Sequence, residues 1–479
     1  MHRFNSCLLA ITLGCFCSAA AAGYREDIGY TQLHSERPGA PNGAGIPVAI
    51  VEGTDNSGNY APDTTHPEFA SKTIAMQSGL SGPSGHATTV AIRFFGNSGG
   101  IAPGVTDIHA YSAGDWLGNQ LNFGSALPPQ PSNRRLANHS WIHDFENNVQ
   151  NGDALRRLDY IIENDDYIQV VGMNNGSTNY PLWANSYNAI TVGVTSGSHP
   201  RLTTATDSVY VAGRVRPTVV APQTLTSFAT PLVAGTVASL LQYADNNPGI
   251  SNGSYVSPRT GRTVHHAATS EVIKSVIMTG ADRFTSNTAV SSNITDFRSA
   301  GNQTANGLDA RYGAGQVNIY NALLILEAGE QEAGSVIAQR GFDYSAITSG
   351  ATANYFFTGQ SEANASLVWN AKVNPGVGMT WNPSVSLADF NLYLYQVAVG
   401  GDTLIASSTS SIDNTEHIFI AGLDPTSTYR LAVSRSDGLV PAWEYGLSWN
   451  LVPEPAALAW LPLAGLLLHR RRGRAQRTV

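Results

Sequence analysis

Three short runs constrain this chain more than any other feature: VAIV (Val48–Val51), IQVV (Ile168–Val171) and ITVGV (Ile190–Val194). All are β-formers, and none alternates polar with apolar. A strand that is apolar on both faces must be covered on both faces, which is the habit of a parallel sheet between helical layers. From residue 47 to about 330 such runs alternate with helix-like stretches. Strands are predicted at Pro47–Val51, Asp107–Ser112, Arg135–His139, Tyr167–Gly172, Ala189–Val194 and Ser208–Gly213. Helices are predicted after His86 and over Gly152–Glu163, Pro231–Ala244, Ser270–Thr279 and Gly315–Ala328. The expected fold is α/β, a mostly parallel sheet flanked by helices. Active sites of such folds lie at the carboxyl ends of strands, and Glu52 stands at one.

A chain of 479 residues exceeds one typical core. After the Gly315–Ala328 stretch the texture changes. Residues 335–450 carry period-2 runs (NYFFTG, SLVWNA, FNLYLYQV, EHIFIAGL, TYRLAVSR) separated by turn residues, which reads as an all-β sandwich. The words Asp389-Phe390-Asn391-Leu392-Tyr393 and Thr428-Tyr429-Arg430-Leu431-Ala432-Val433 resemble the pre-peptidase C-terminal type of module. The expected division is residues 1–22, 23–330, 335–450 and 452–479.

Both ends read as sorting segments. Arg3, an apolar stretch over Cys7–Cys17 and the Ala19–Ala22 run make a secretory signal peptide of residues 1–22. All three cysteines (Cys7, Cys15, Cys17) lie in it, so no disulfide or thiol chemistry is expected of the mature chain. Pro453-Glu454-Pro455, an apolar run over Ala456–Leu468 and the Arg470–Arg474 cluster resemble the PEP-CTERM sorting signal of Gram-negative bacteria. That resemblance implies an exported protein of the cell envelope or exterior, an exosortase-type partner, and membrane contact through this tail alone. The chain carries −8; removing +1 for Arg3 and +4 for residues 452–479 (five Arg, one Glu) leaves −13 on residues 23–451. An acidic body of this kind argues against nucleic acid as partner.

Three further words carry chemistry. In TSFATPLVAG (Thr226–Gly235) a Ser stands just before a helix, with Pro231 suited to its first turn. A helix N-terminus offers N–H groups to a developing oxyanion, although an N-cap is the ordinary use of such a Ser. In GHATTVAIRFF (Gly85–Phe95) a His opens an apolar helix face, placed as a general base or as a capping group. In VVGMNNG (Val170–Gly176) a buried strand ends in Asn174, an oxyanion amide or a turn residue.

The order acid, His, Asn, Ser, with gaps of 34, 88 and 53 residues, resembles the subtilisin-like serine proteases (subtilases). VAIVEGTD, HATTVA, GIAPGV (Gly100–Val105), ANHSW (Ala137–Trp141), VVGMNNG and LTSFATPLVAG all echo family words over roughly residues 45–330. The resemblance implies an endopeptidase acting on polypeptides, with Ser227 as nucleophile, His86 as base, Glu52 as the orienting acid and Asn174 at the oxyanion. Ser140, Trp141 and Ile142 would line the substrate cleft. The family has Asp where Glu52 stands, Gly at Ala87, His at Thr89 and Gly at Leu225. Only about 25 residues separate the leader from the first strand, too few for the family's folding prodomain. Those departures support an alternative, a weakened or inactive subtilase fold used for binding at the envelope. Asp55, in the loop beyond, is held as the alternative acid. GNSGG (Gly96–Gly100) fits G-x-S-x-G literally but lacks a strand–turn–helix setting and reads as a loop. No metal or cofactor is expected; Asp63, Asp107 and Asp115 are the only candidates for a structural calcium and read as solvated loop acids.

Overall fold

The computed structural model describes residues 23–453 apart from 290, 291 and 379. The expected signal peptide of residues 1–22 and the apolar run over Ala456–Leu468 lie outside the described residues. No helix among the described residues is long and apolar enough to cross a membrane.

Two short helices, α1 (Gly23–Asp27) and α2 (Tyr30–Glu36), lead into β1 (Val48–Glu52). There follow β2 (Thr73–Met76), α3 (Gly85–Phe95), β3 (Asp107–Ser112), a single turn α4 (Ala113–Asp115), β4 (Leu136–His139), α5 (Asn148–Asp165), β5 (Ile168–Gly172), the short α6 (Pro181–Ala184), β6 (Ile190–Val194), β7 (Val219–Ala221) and α7 (Thr226–Asn246). The seven strands form one parallel sheet in the order β2-β3-β1-β4-β5-β6-β7. The chain leaves β1 for one side of the sheet and returns through β4 on the other, so the strand order reverses around β1. That is where a crevice opens at the carboxyl ends.

Every residue of β1, β5 and β6 is buried. Alternation along β1 divides the two layers. Val48 and Ile50 pack with α3 and α7, whereas Ala49 and Val51 pack with α5, Trp116 and Trp183. By the same parity Glu52 points to the α3 and α7 side.

Beyond α7 come the hairpin β8 (Ser254–Val256) and β9 (Thr263–His265), then α8 (Ser270–Gly280) and α9 (Ile319–Glu327). The remaining strands are β10 (Arg340–Ile347), β11 (Thr352–Thr358), β12 (Gln360–Val368), β13 (Lys372–Asn374), β14 (Ser384–Ser386), β15 (Phe390–Val397), β16 (Thr403–Ser408), β17 (Thr415–Ala421), β18 (Thr428–Arg435) and β19 (Trp443–Pro453). They build two antiparallel four-stranded sheets, β10-β19-β12-β17 and β11-β18-β15-β16, with β13-β14 as a separate ribbon. Leu367 and Leu447 of one sheet share a core with Leu392 and Leu431 of the other.

Four expectations need correction. Ser208–Gly213 is a loop: the Asp207 carboxylate accepts from the Val209 and Tyr210 N–H groups, which forms a turn in place of a ladder. The last strand of the sheet is Val219–Ala221, too short to show a period. β2 was not foreseen, because it is a four-residue edge strand with no fully buried position. Helix α9 starts only at Ile319, capped by Asn318. Helix α7 starts at Thr226, so Ser227 lies inside its first turn and Pro231 inside its second.

The sandwich does not hang from a linker. Asn188 holds both backbone groups of Ala371, with 2.8 Å to the N–H and 3.0 Å to the carbonyl. Thr279 and Ser448 share a hydroxyl hydrogen bond of 2.7 Å, and Asp413 accepts from the Val215 N–H at 2.8 Å. All of these groups are buried.

Candidate active site

His86 occupies the second position of α3, whose N-cap is Ser84. Its Nδ1 lies 2.8 Å from Oε2 of Glu52. Glu52 is fully buried, while the His86 side chain is 43% exposed. A base must be reachable and its orienting acid need not be, and this pair has that asymmetry. The hydrogen bond to Glu52 raises the His86 pKa above its ordinary value, against the opposing effect of burial. Burial raises Glu52 as well, more than its imidazole partner lowers it. The other oxygen, Oε1, is buried without a hydrogen-bond partner. Asp55 turns away, its Oδ1 accepting from the Ser57 and Asn59 N–H groups of its own loop.

The His86 ring stacks near Phe228, with centroids 5.9 Å apart, and the Arg93 guanidinium covers Phe228 at 4.4 Å. Phe228 follows Ser227, so α3 and α7 present His86 and Ser227 to one crevice. Ser227 is half-exposed at the second position of α7. An N–H there has no carbonyl one turn back and is free to donate. At the far side of the same residue, Pro231 has no N–H for the Ser227 carbonyl. The Ser140 hydroxyl takes that place, donating to the Ser227 carbonyl at 2.9 Å, and itself accepts from Asn138 at 3.0 Å.

Asn174 sits beyond β5 with its Nδ2 donating to the Thr178 carbonyl at 2.9 Å. Its neighbour has a role that the sequence reading missed. Asn175 Oδ1 accepts from the Thr226 N–H at 2.9 Å and from the Thr226 hydroxyl at 3.1 Å. Leu225, the N-cap of α7, has no side chain able to cap, so Asn175 caps from across the crevice. The signal was an Asn doublet at a strand end facing a helix start without a capping residue.

Ser140, Trp141 and Ile142 border a recess of about 50 Å³ that also touches Met173, Asn174 and Ser227. Trp141 is pinned by its indole N–H, 3.1 Å from His139 Nδ1, and stands edge-on to Trp183. His139 itself is a core residue. It is fully buried, bonds Gln169 at 2.8 Å, and burial lowers its pKa to about 4. No hydrogen bond joins His86 to Ser227; among the described residues the His86 side chain bonds Glu52 alone.

The remaining sequence candidates are structural. Ser98 of the GNSGG loop bonds Glu68, not a base. A Cβ on Gly100 would lie 2.5 Å from the Gly96 carbonyl oxygen, which explains a glycine there. Asp63 caps its own turn at Thr65, Asp107 pairs with Arg134, and Asp115 accepts from Ser78. Among the described residues no three His, Cys, Asp or Glu side chains are grouped to hold a metal ion.

The buried acid, the His on one helix and the Ser opening another stand on the scaffold that the family model describes. The subtilase family model matches residues 52–315, more than half of the chain, and the chain belongs to that family. It is a family of serine peptidases, whose substrates are polypeptides. Among solved structures the chain is similar to the prenylagaramide maturation protease PagA, at 18% identity over 62% of this chain and 98% of that one, with a TM-score of 0.38. It is also similar to a cold adapted subtilisin-like serine proteinase, at 16% identity over 53% and 88%, with a TM-score of 0.31. A third is the serine protease MycP1 of a type VII secretion system, at 16% identity over 64% and 90%, with a TM-score of 0.33. No curated protein matches the chain.

Proposed function

We propose that the chain is an exported serine endopeptidase that works through Ser227, His86 and Glu52. The observation that carries this is the 2.8 Å contact between buried Glu52 and reachable His86 beside the helix that opens with Ser227. In the proposed reaction His86 Nε2 takes the proton of the Ser227 hydroxyl as Oγ attacks the scissile carbonyl. Glu52 holds the ring and its charge stabilises the imidazolium. The Ser227 N–H and Asn174 Nδ2 stabilise the tetrahedral oxyanion. His86 then returns its proton to the leaving amine, and water cleaves the acyl-enzyme by the same route. Two contacts must re-form as substrate enters: His86 turns to Ser227, and Asn174 releases Thr178. Catalytic hydrogen bonds commonly tighten only in the substrate complex.

Export to a Gram-negative envelope or beyond rests on residues 1–22 and on the PEP-CTERM-like words of residues 452–479. An exosortase-type partner and membrane contact through the tail belong to the same proposal. A second reading, a subtilase fold kept for binding, is favoured by the missing bond between His86 and Ser227. Labelling with a fluorophosphonate, which reacts with an activated serine, separates the two: the enzyme reading requires wild type to label and Ser227→Ala not to.

A further inference from the structure

A second cavity, of about 340 Å³, opens between the peptidase domain and the sandwich. Glu163 at the end of α5 and Glu271 in the first turn of α8 form one wall. Asn370, Lys372 and Glu444 form the other. None of these residues borders the Ser227 recess. The domains meet closely here: a Cβ on Gly446 would lie 2.7 Å from the Glu271 carbonyl carbon, so β19 runs directly along the start of α8.

The wall is chemically one-sided. Three carboxylates face the cavity against one ammonium, and that ammonium is committed. Lys372 Nζ is 2.5 Å from Glu444 and lies 4.7 Å over the Trp443 ring. Among the described residues Glu163 accepts from the Asn164 side chain and Glu271 from the Ser270 hydroxyl at 3.0 Å, and neither forms an ion pair. Asn370 is 4% exposed and donates through Nδ2 to Ser270, yet its Oδ1 has no hydrogen-bond partner on the cavity wall. These acceptors face the cavity, where the donors of a ligand can reach them. Of the neighbouring acids, Asp165 faces Arg259 and Arg262, and Asp166 faces Tyr255, Arg262 and Arg135. Those arginines serve Asp165 and Asp166, which leaves Lys372 as the cation that bears on Glu163.

We propose that this interdomain cavity binds an organic cation, an ammonium or guanidinium group whose N–H donors serve Glu163, Glu271 and the Asn370 carbonyl together. Such groups carry three and five donors respectively and no acceptor, the complement of this wall. With no metal-type cluster among the described residues, an organic ion fits where a metal ion does not. Burial, with the charges of Glu444, Asp166 and Asp165 adding to it, pushes Glu163 up to about 7, and burial likewise raises Glu271. Lys372 opposes the shift at Glu163. A bound cation reverses both shifts, so binding near neutral pH releases protons.

Isothermal titration of the full chain at neutral pH tests this, with spermidine and a short blocked Arg peptide as probes in two buffers of different ionisation heat. The expected result is saturable one-to-one binding with proton release for at least one probe; the tighter probe identifies a free polyamine or a peptide side chain as the source. Glu163→Gln and Glu271→Gln should each weaken it about tenfold, since a charge-assisted hydrogen bond is lost. Asn370→Asp should tighten it, which keeps the test informative if a Gln variant folds poorly. Absence of saturable binding by both probes, or affinities unmoved by all three substitutions, would overturn the proposal.

Discussion

Glu52 shows how much one methylene asks of its surroundings. The side chain reaches His86 with one oxygen and leaves the other buried and unpartnered. A carboxylate held on a single contact keeps its charge at the cost of burial, and the raised pKa of Glu52 is that cost expressed as proton affinity. Glu52→Gln should lower kcat by about four orders of magnitude, as loss of the charge behind a catalytic His does, whereas Asp55→Asn should leave steady-state kinetics near wild type. The pH profile gives the sign. The proposed base works when neutral, and Glu52 raises the His86 pKa, so the acidic limb of kcat/KM should have its midpoint above about 6.5, the ordinary His value. In Glu52→Gln that midpoint should move down; a midpoint that stays put would mean Glu52 does not face His86 in solution. Stability follows the same sign. Folding raises both pKa values, so the pair's contribution is complete below the unfolded values and is lost as pH rises through the folded ones. The strand end in VAIVE put Glu52 forward as the orienting acid in the sequence; the side it faces is set by the fold, where Val48 and Ile50 pack toward α3 and α7. The bare Oε1 was not legible, because it depends on which backbone groups fail to arrive.

At the scale of the element, α7 is where the sequence reading slipped. Pro231 reads as a first-turn residue, yet the helix begins five residues earlier. A proline in a second turn costs a hydrogen bond at the carbonyl four residues back, and that carbonyl belongs to Ser227. The Ser140 hydroxyl meets it, so the residue expected to line the substrate cleft also fixes the backbone of Ser227, the proposed nucleophile. Ser140→Ala should destabilise the fold by about 1–3 kcal/mol, the cost of a buried acceptor left unmet. In a Pro231→Ala background the restored N–H serves the same carbonyl, and Ser140→Ala should then cost clearly less. Thermal unfolding of the four variants measures the coupling; strictly additive changes would refute it. Asn175 belongs to this scale too, since an Asn doublet at a strand end does not say which helix it will cap.

The whole molecule departs from the picture of a catalytic domain with an appendage. The change of texture near residue 330 announced the sandwich, but its union with the peptidase domain was hidden. Nothing in the sequence marks Asn188, Asn364 and Asp413 as interface residues. In the fold they are buried: Asn188 holds Ala371, Asn364 donates to the Thr279 carbonyl, and Asp413 accepts from Val215. Phe342 and Val368 complete the peptidase core from the sandwich side. Buried polar groups lose their partners when an interface opens, so neither half is expected to unfold alone. Calorimetry should show one cooperative transition, and a chain ended at residue 334 should not fold as a soluble peptidase. Two resolved transitions would contradict the joint core.

Whether Ser227 is an activated nucleophile in this fold is read from intact-mass spectrometry after fluorophosphonate treatment. The wild-type chain is expected to carry a single adduct, mapping to the peptide that holds Ser227, formed far more slowly in His86→Ala and absent in Ser227→Ala. An unmodified wild-type chain under native conditions, or an adduct that persists in Ser227→Ala, would contradict it.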